Sequence, residues 1–184
     1  MSGRVFQNIV LQFKDAVDTE IGVIDAEGTV IACTELSDVT MPQSLTTVGS
    51  GVFNGTKVFN DSLTDDGGNI VYADNWIVAV VNSAEITELS WSGVEKPAAD
   101  ATFIREGTVG IVGRAFVSCE NLTRVVLPPS IKYLGDSCFA RNKALYSVTL
   151  PGVETISYGV FSDCDILQIL DLGQSLKSIG AKAF

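Results

Sequence analysis

The sequence predicts a fold between α/β and mainly β: a solenoid of stacked coils, each of about 22–23 residues, behind an N-terminal helix and hairpin. Three observations predict it. Phe116, Phe139, Phe161 and Phe184 are separated by 23, 22 and 23 residues, and other apolar positions keep the same steps. Within each step a pair of apolar residues two apart, such as Val125 and Leu127, is followed by a strand-ending Pro128 or Pro151. Residues 1–32 carry a different pattern, that of a cap over a first coil. Apolar residues make up 46% of the 184, enough for a continuous core.

Taken in order, Val5, Phe6, Ile9, Val10, Phe13, Ala16 and Val17 mark one stripe of an amphipathic helix. IGVID, a turn at Ala26-Glu27-Gly28, and TVIAC then alternate with period two and read as a hairpin. A first copy of the repeat follows. Leu36, Val39, Met41, Pro42, Leu45, Val48, Gly49 and Phe53 hold its offsets, with Cys33 three residues before Leu36 and Phe59 in the leucine slot. Residues 60–101 break the period and are expected as an insert. NDSLTDDGGN is turn-rich, and Ile70–Tyr72 with Trp76–Val81 read as a hairpin closed through Ala73, Asp74 and Asn75. Ile86, Leu89 and Trp91 match the repeat once, but Ile104 follows Trp91 by only 13 residues. SGVEKPAADA is therefore either a shortened coil or a loop outside the stack. Beyond it the period is strict. Leu122, Leu145 and Leu167 follow the phenylalanines by six; Leu127, Leu150 and Leu172 repeat in step; Ile111, Leu134, Ile156 and Ile179 precede each phenylalanine by five. One such coil cannot cover its own apolar face, so the coils must stack, with strands about 4.8 Å apart. The organisation is a cap at 1–32 and a solenoid at 33–184 with an insert at about 60–101.

Charge and residue usage exclude several functions. Twelve basic against 22 acidic side chains give a net of −10. This opposes binding to a nucleic-acid backbone or an anionic membrane surface. The longest apolar run, Trp76 to Val81, is too short to span a bilayer. There is no histidine, which removes the commonest general base and every His metal site. The four cysteines form no CxxC pair; Cys33, Cys119 and Cys164 share one repeat slot, filled by Asn142 in the middle copy. Cys119 and Cys164 would lie two coils apart, roughly 9.6 Å. That is beyond disulfide reach, so buried, reduced thiols are expected for Cys33, Cys119 and Cys164. The run Asn60, Asp61, Asp65, Asp66, Asn69 lacks calcium-loop spacing and reads as a solvated turn. Gly67-Gly68 has no following lysine, which argues against a phosphate cradle. No cofactor or metal is expected, and catalysis ranks behind binding.

The motifs CENLTRVVLPPSIKYLGDSCF and LYSVTLPGVETISYGVFSDC resemble BspA-type leucine-rich repeats of bacteria, over about residues 33–59 and 102–184. The resemblance implies a right-handed leucine-rich-repeat solenoid acting by binding a protein or glycan, often as a bacterial surface adhesin. It also implies a cell-surface or secreted location, whereas the given chain starts without a signal peptide and reads as cytoplasmic if complete. Residues 1–32 resemble the opening of PucR and sugar-diacid regulator sensor domains, which implies a regulatory alternative. Without a polar closing coil after Phe184, a trimmed chain or end-to-end self-association is expected.

The binding site is expected on the outward side of the strands. By the two-residue period, that side carries Asp38 and Thr40, Phe103 and Arg105, Arg124 and Val126, Ser147 and Thr149, Ile169 and Asp171. Phe103, Arg105, Arg124, Val126 and Ile169 stand out as the candidate interaction residues, because aromatics and arginines are enriched at hot spots. The alternative is that the N-terminal hairpin or the 60–101 insert folds over this face and buries Phe103.

Overall fold

The computed structural model describes residues 22–24, 30–33, 40–41, 44–46, 48–51, 53 and 69–184. They form thirteen strands and one short 3-10 turn, Ser83–Glu85, with no α-helix among the described residues. The stripe from Val5 to Val17 lies outside them. The predicted hairpin is present as β1 (Gly22–Ile24) and β2 (Val30–Cys33), paired antiparallel.

The stack has two sheets. Five strands make one, in the order β12 (Ile169–Asp171), β10 (Ser147–Thr149), β8 (Arg124–Val126), β5 (Glu88–Ser90), β6 (Thr102–Phe103). Six make the other, in the order β13 (Ser178–Ile179), β11 (Thr155–Ile156), β9 (Tyr133–Leu134), β7 (Gly110–Ile111), β4 (Trp76–Val80), β3 (Ile70–Ala73). All pairs are parallel except the β3–β4 hairpin. The chain alternates between sheets: β9 leads through Phe139 to β10, and Pro151 turns it back to β11. Gly110, Tyr133, Thr155 and Ser178 are successive partners, so the steps between strands equal those between phenylalanines.

Each strand points one row inward. Leu89, Val125 and Val148 from one sheet meet Ile77, Ile111, Leu134 and Ile156 from the other, all fully buried. Between the sheets the phenylalanines stack face to face. Ring centroids are 5.1 Å apart for Phe116–Phe139 and 5.6 Å for both Phe139–Phe161 and Phe161–Phe184. The backbone locks the same column: the amides of Phe116, Phe139 and Phe161 donate to Cys138, Val160 and Ala183 in the following coil at 2.7–3.0 Å. To turn this tightly the chain enters the left-handed region on both sides of the ring. Arg114, Ser137, Gly159 and Lys182 lie two residues before a phenylalanine; Ser118, Arg141 and Asp163 lie two after. Only one of the seven is glycine, and none is β-branched, the side-chain type least compatible with that backbone.

Asn142 supplies a second lock. It is fully buried, accepts from the Cys119 amide (2.7 Å), and donates to the carbonyls of Phe116 (3.0 Å) and Phe139 (2.9 Å). Cys164, one coil later in the same slot, donates its thiol to the Phe139 carbonyl at 3.3 Å. The slot therefore joins each coil to the one before it.

Three expectations are revised. Met41, Leu45, Val48 and Phe53 do not extend the phenylalanine column. They cover Val71, Ala73, Trp76, Val78 and Val112 on the outer face of the six-stranded sheet, while Leu36, Val39 and Phe59 lie outside the described residues. The Met41 amide is tied there to Asp74 Oδ2 (2.7 Å). The hairpin at 70–80 is part of the stack, since β4 pairs with β7. SGVEKPAADA is a loop, and it delivers β6 to the far side of β5, where it covers an edge that would otherwise be open. On that outer face Trp76 stacks on Tyr133 two strands away. It reaches across Gly110, where any Cβ would collide with the indole ring.

Among the described residues, β12 and β13 are edge strands with no further coil packed on them. Leu170, Ile179 and Phe184 are exposed, whereas their counterparts in earlier coils are buried. Phe161→Ala should therefore cost about 3–5 kcal/mol, and Phe184→Ala, at a residue 53% exposed, markedly less. Urea unfolding of the two variants reads the difference; equal losses would contradict a column that is covered at 161 and open at 184. Asn142→Ala should cost roughly 3 kcal/mol, because it strands a buried amide and loses two further hydrogen bonds. Asn142→Cys, keeping one thiol donor, should fall between.

Candidate functional site

The predicted row lies on the outer side of the five-stranded sheet. Register places Glu88, Arg124, Ser147 and Ile169 side by side. The next row begins with the pair Phe103 and Ser90, passes Val126 and Thr149, and ends at Asp171. Phe103 is 52% exposed, so no described segment folds over it, and Ile169 is 49% exposed at the opposite edge. Four strand steps separate them, roughly 19 Å.

The other predicted residues behave differently. Val126 is only 9% exposed, shielded by its neighbours on the crowded central strand. Arg124 bonds Glu88 Oε1 at 3.3 Å; the Glu88 side chain is nearly buried and that of Arg124 is 40% exposed. The pair fills the middle of the face and fixes Arg124 in place. Arg105 is not on this face. β6 ends at Phe103, and beyond it the chain turns toward the hairpin. There the Arg105 guanidinium lies 4.2 Å over the Tyr72 ring, and its amide donates to the Tyr72 hydroxyl at 3.1 Å. The contact is a cation–π clamp between loop and hairpin. Sequence reasoning missed Glu88 and Ser90, although Leu89 between them matched the repeat. Ser90 is fully buried beside Phe103, with no partner for its hydroxyl.

A second depression runs along the corner where β9 and β11 enter the phenylalanine turns. It encloses about 630 Å³ between the 48–50 turn and the coil corners, and carries Arg114, Asp136, Ser137, Ser157 and Tyr158. An adjoining hollow of about 510 Å³ shares Ser50, Gly113 and Arg114 with it. Asp136 Oδ1 accepts from the Tyr158 amide at 3.1 Å, which holds the turn of the next coil. These residues occupy repeat positions that read in the sequence only as turn.

The thiols are poor nucleophiles. Burial pushes Cys119 up to about 12 and Cys138 well above the ordinary thiol range, and it raises Cys164 as well. All three are unbonded to one another. Cys164 is only half-buried, contrary to expectation. The Cys33 side chain lies outside the described residues. No group of three or more His, Cys, Asp or Glu that could hold a metal exists among the described residues, and no described helix is long and apolar enough to cross a membrane.

The family model for the BspA type leucine rich repeat region matches in six copies, over residues 16–71 and 102–184. The chain belongs to this family. The BspA-type repeat thus covers the strict coils and the outer-face segment at 41–53, and ends within β3. Membership in a leucine-rich-repeat family supports a protein-interaction module. Among solved structures, the T. pallidum leucine rich repeat protein (TpLRR) matches with a TM-score of 0.41 and 18% identity, over 89% of this chain and 84% of that one. Comparison with curated proteins gives no match.

Thiol labelling of the native protein should be slow at Cys119 and Cys138 and faster at Cys164, as read by mass spectrometry after timed alkylation. Equal, fast labelling of all three would contradict the packing of the slot.

Proposed function

We propose that this BspA-type chain is a non-catalytic binding module that takes a protein partner on the outer face of its five-stranded sheet. The observation that carries the reading is the pair of exposed apolar side chains, Phe103 and Ile169, on one sheet face around a fixed Arg124–Glu88 ion pair. An exposed phenylalanine on a short edge strand costs solubility and gives no packing, which suits a contact residue. The ion pair between them supplies a charged, pre-positioned centre, so little side-chain entropy remains to be lost there on binding. By family resemblance the partner is a host-surface or matrix protein and the module an adhesin. The exposed Leu170, Ile179 and Phe184 support self-association through the last coil as part of the same reading.

The test is binding of the whole chain to immobilised collagen, fibronectin and laminin by surface plasmon resonance. The Phe103→Ser/Ile169→Ser double variant serves as control for the face. Both residues are exposed, so folding should be retained. Saturable binding to one matrix protein, weakened about tenfold or more in the variant, is the expected result. No saturable binding to any of them, or binding unaffected by the double substitution, would count against this face. Arg124→Ala is the poorer probe, because it leaves the Glu88 carboxylate buried and unpaired and so perturbs stability as well.

A further inference from the structure

We propose that the corner groove between the 48–50 turn and the phenylalanine turns is a second binding site, on a different surface, for a neutral oligosaccharide. The argument starts from what is left unengaged. Among the described residues, no hydrogen bond or ion pair takes up the hydroxyls of Ser50, Ser137 and Ser157 or the guanidinium of Arg114, and all four line the groove. Asp136 commits one carboxylate oxygen to the Tyr158 amide and keeps the other. Tyr158 is 48% exposed. The set therefore offers a planar donor fork, a carboxylate acceptor, three hydroxyls that both donate and accept, and an aromatic face. Vicinal sugar hydroxyls need donors and acceptors side by side, and the C–H face of a pyranose needs a flat apolar surface. This groove holds both.

Charge and backbone select among ligand classes. Arg114 shares the groove with Asp136, and the chain carries a net of −10, so an anionic ligand meets a repulsive field. An extended peptide would need free backbone groups to pair with. Here the amides of Arg114, Ser137 and Gly159 are already donated to Asp136, Tyr158 and Ala181 of the following coil. The two adjoining hollows, about 630 and 510 Å³, are each in the range of ligand pockets (about 300–1,000 Å³), which favours an oligomer over a single ring. The backbone at Arg114, held in the left-handed region (φ 64°), fixes the point from which the guanidinium projects at the junction of the two.

The whole chain is to be titrated with the neutral hexamers cellohexaose, maltohexaose and mannohexaose, with hexagalacturonate as the charged control, following backbone amides by NMR. At least one neutral hexamer should shift the amides of Arg114, Ser137, Ser157 and Tyr158 saturably, and more strongly than the acidic one. Tyr158→Ala and Arg114→Asn, the latter tolerant of left-handed backbone, should each weaken that binding about tenfold with unchanged unfolding midpoints. Three results would overturn the proposal: no neutral hexamer shifting these amides, binding of hexagalacturonate alone, or full affinity in both variants. None of these bears on the sheet face, whose test uses other residues and other partners.

Discussion

Everything in this fold depends on one repeated contact, the phenylalanine ring stacked on the ring of the next coil while its own amide bonds that coil's backbone. Each ring is buried only because another coil lies on either side, so no coil is stable alone. The contact also fixes geometry. A ring stack at 5–6 Å and a strand ladder at about 4.8 Å can coexist only if every turn around the phenylalanine has the same shape. The left-handed residues two before and two after each ring supply that shape. The turn then delivers the chain to its strand in constant register, which aligns the inward rows and, on the opposite side, the outward ones.

The coils themselves were legible because burial imposes a period and the period is visible. Phe116, Phe139, Phe161 and Phe184 share spacing because they share a column. Asn142 was visible as an exception in the cysteine slot but not as a lock. Its three hydrogen bonds depend on which backbone groups face the slot, and that is set by two neighbouring coils rather than by its own surroundings in sequence. Met41 to Phe53 shows the limit of periodicity. Their spacing matches the coils, yet their apolar side chains cover the outer face of the six-stranded sheet. A repeat pattern states that residues are buried together, not against which face of which sheet. Trp76 and Val78, which alternate with inward Ile77, are the reason that face needed covering.

The candidate surfaces follow the same division. The two-residue alternation of strands puts Phe103, Arg124 and Ile169 on the outer side of the sheet, the side on which the register has them. Arg105 is not there, because β6 ends at Phe103, and the alternation holds only while the chain is extended. Glu88, the partner of Arg124, is 36 residues distant in sequence, and β6 with its loop intervenes between their coils. The corner groove was invisible, since most of its polar residues occupy turn positions that face solvent and leave no apolar period. Such turn positions can differ from coil to coil.

The most direct test of the central claim is native-state hydrogen exchange at the phenylalanine amides. If the ring column and its hydrogen bonds hold the stack together, the amides of Phe116, Phe139 and Phe161 exchange only through global unfolding. Their exchange free energies then equal the stability from denaturant titration, while the amide of Phe184 exchanges far faster. Exchange of the first three at rates typical of exposed turns, with the strand amides of β8 and β10 still protected, would show that the sheets stand without the column and would contradict the account.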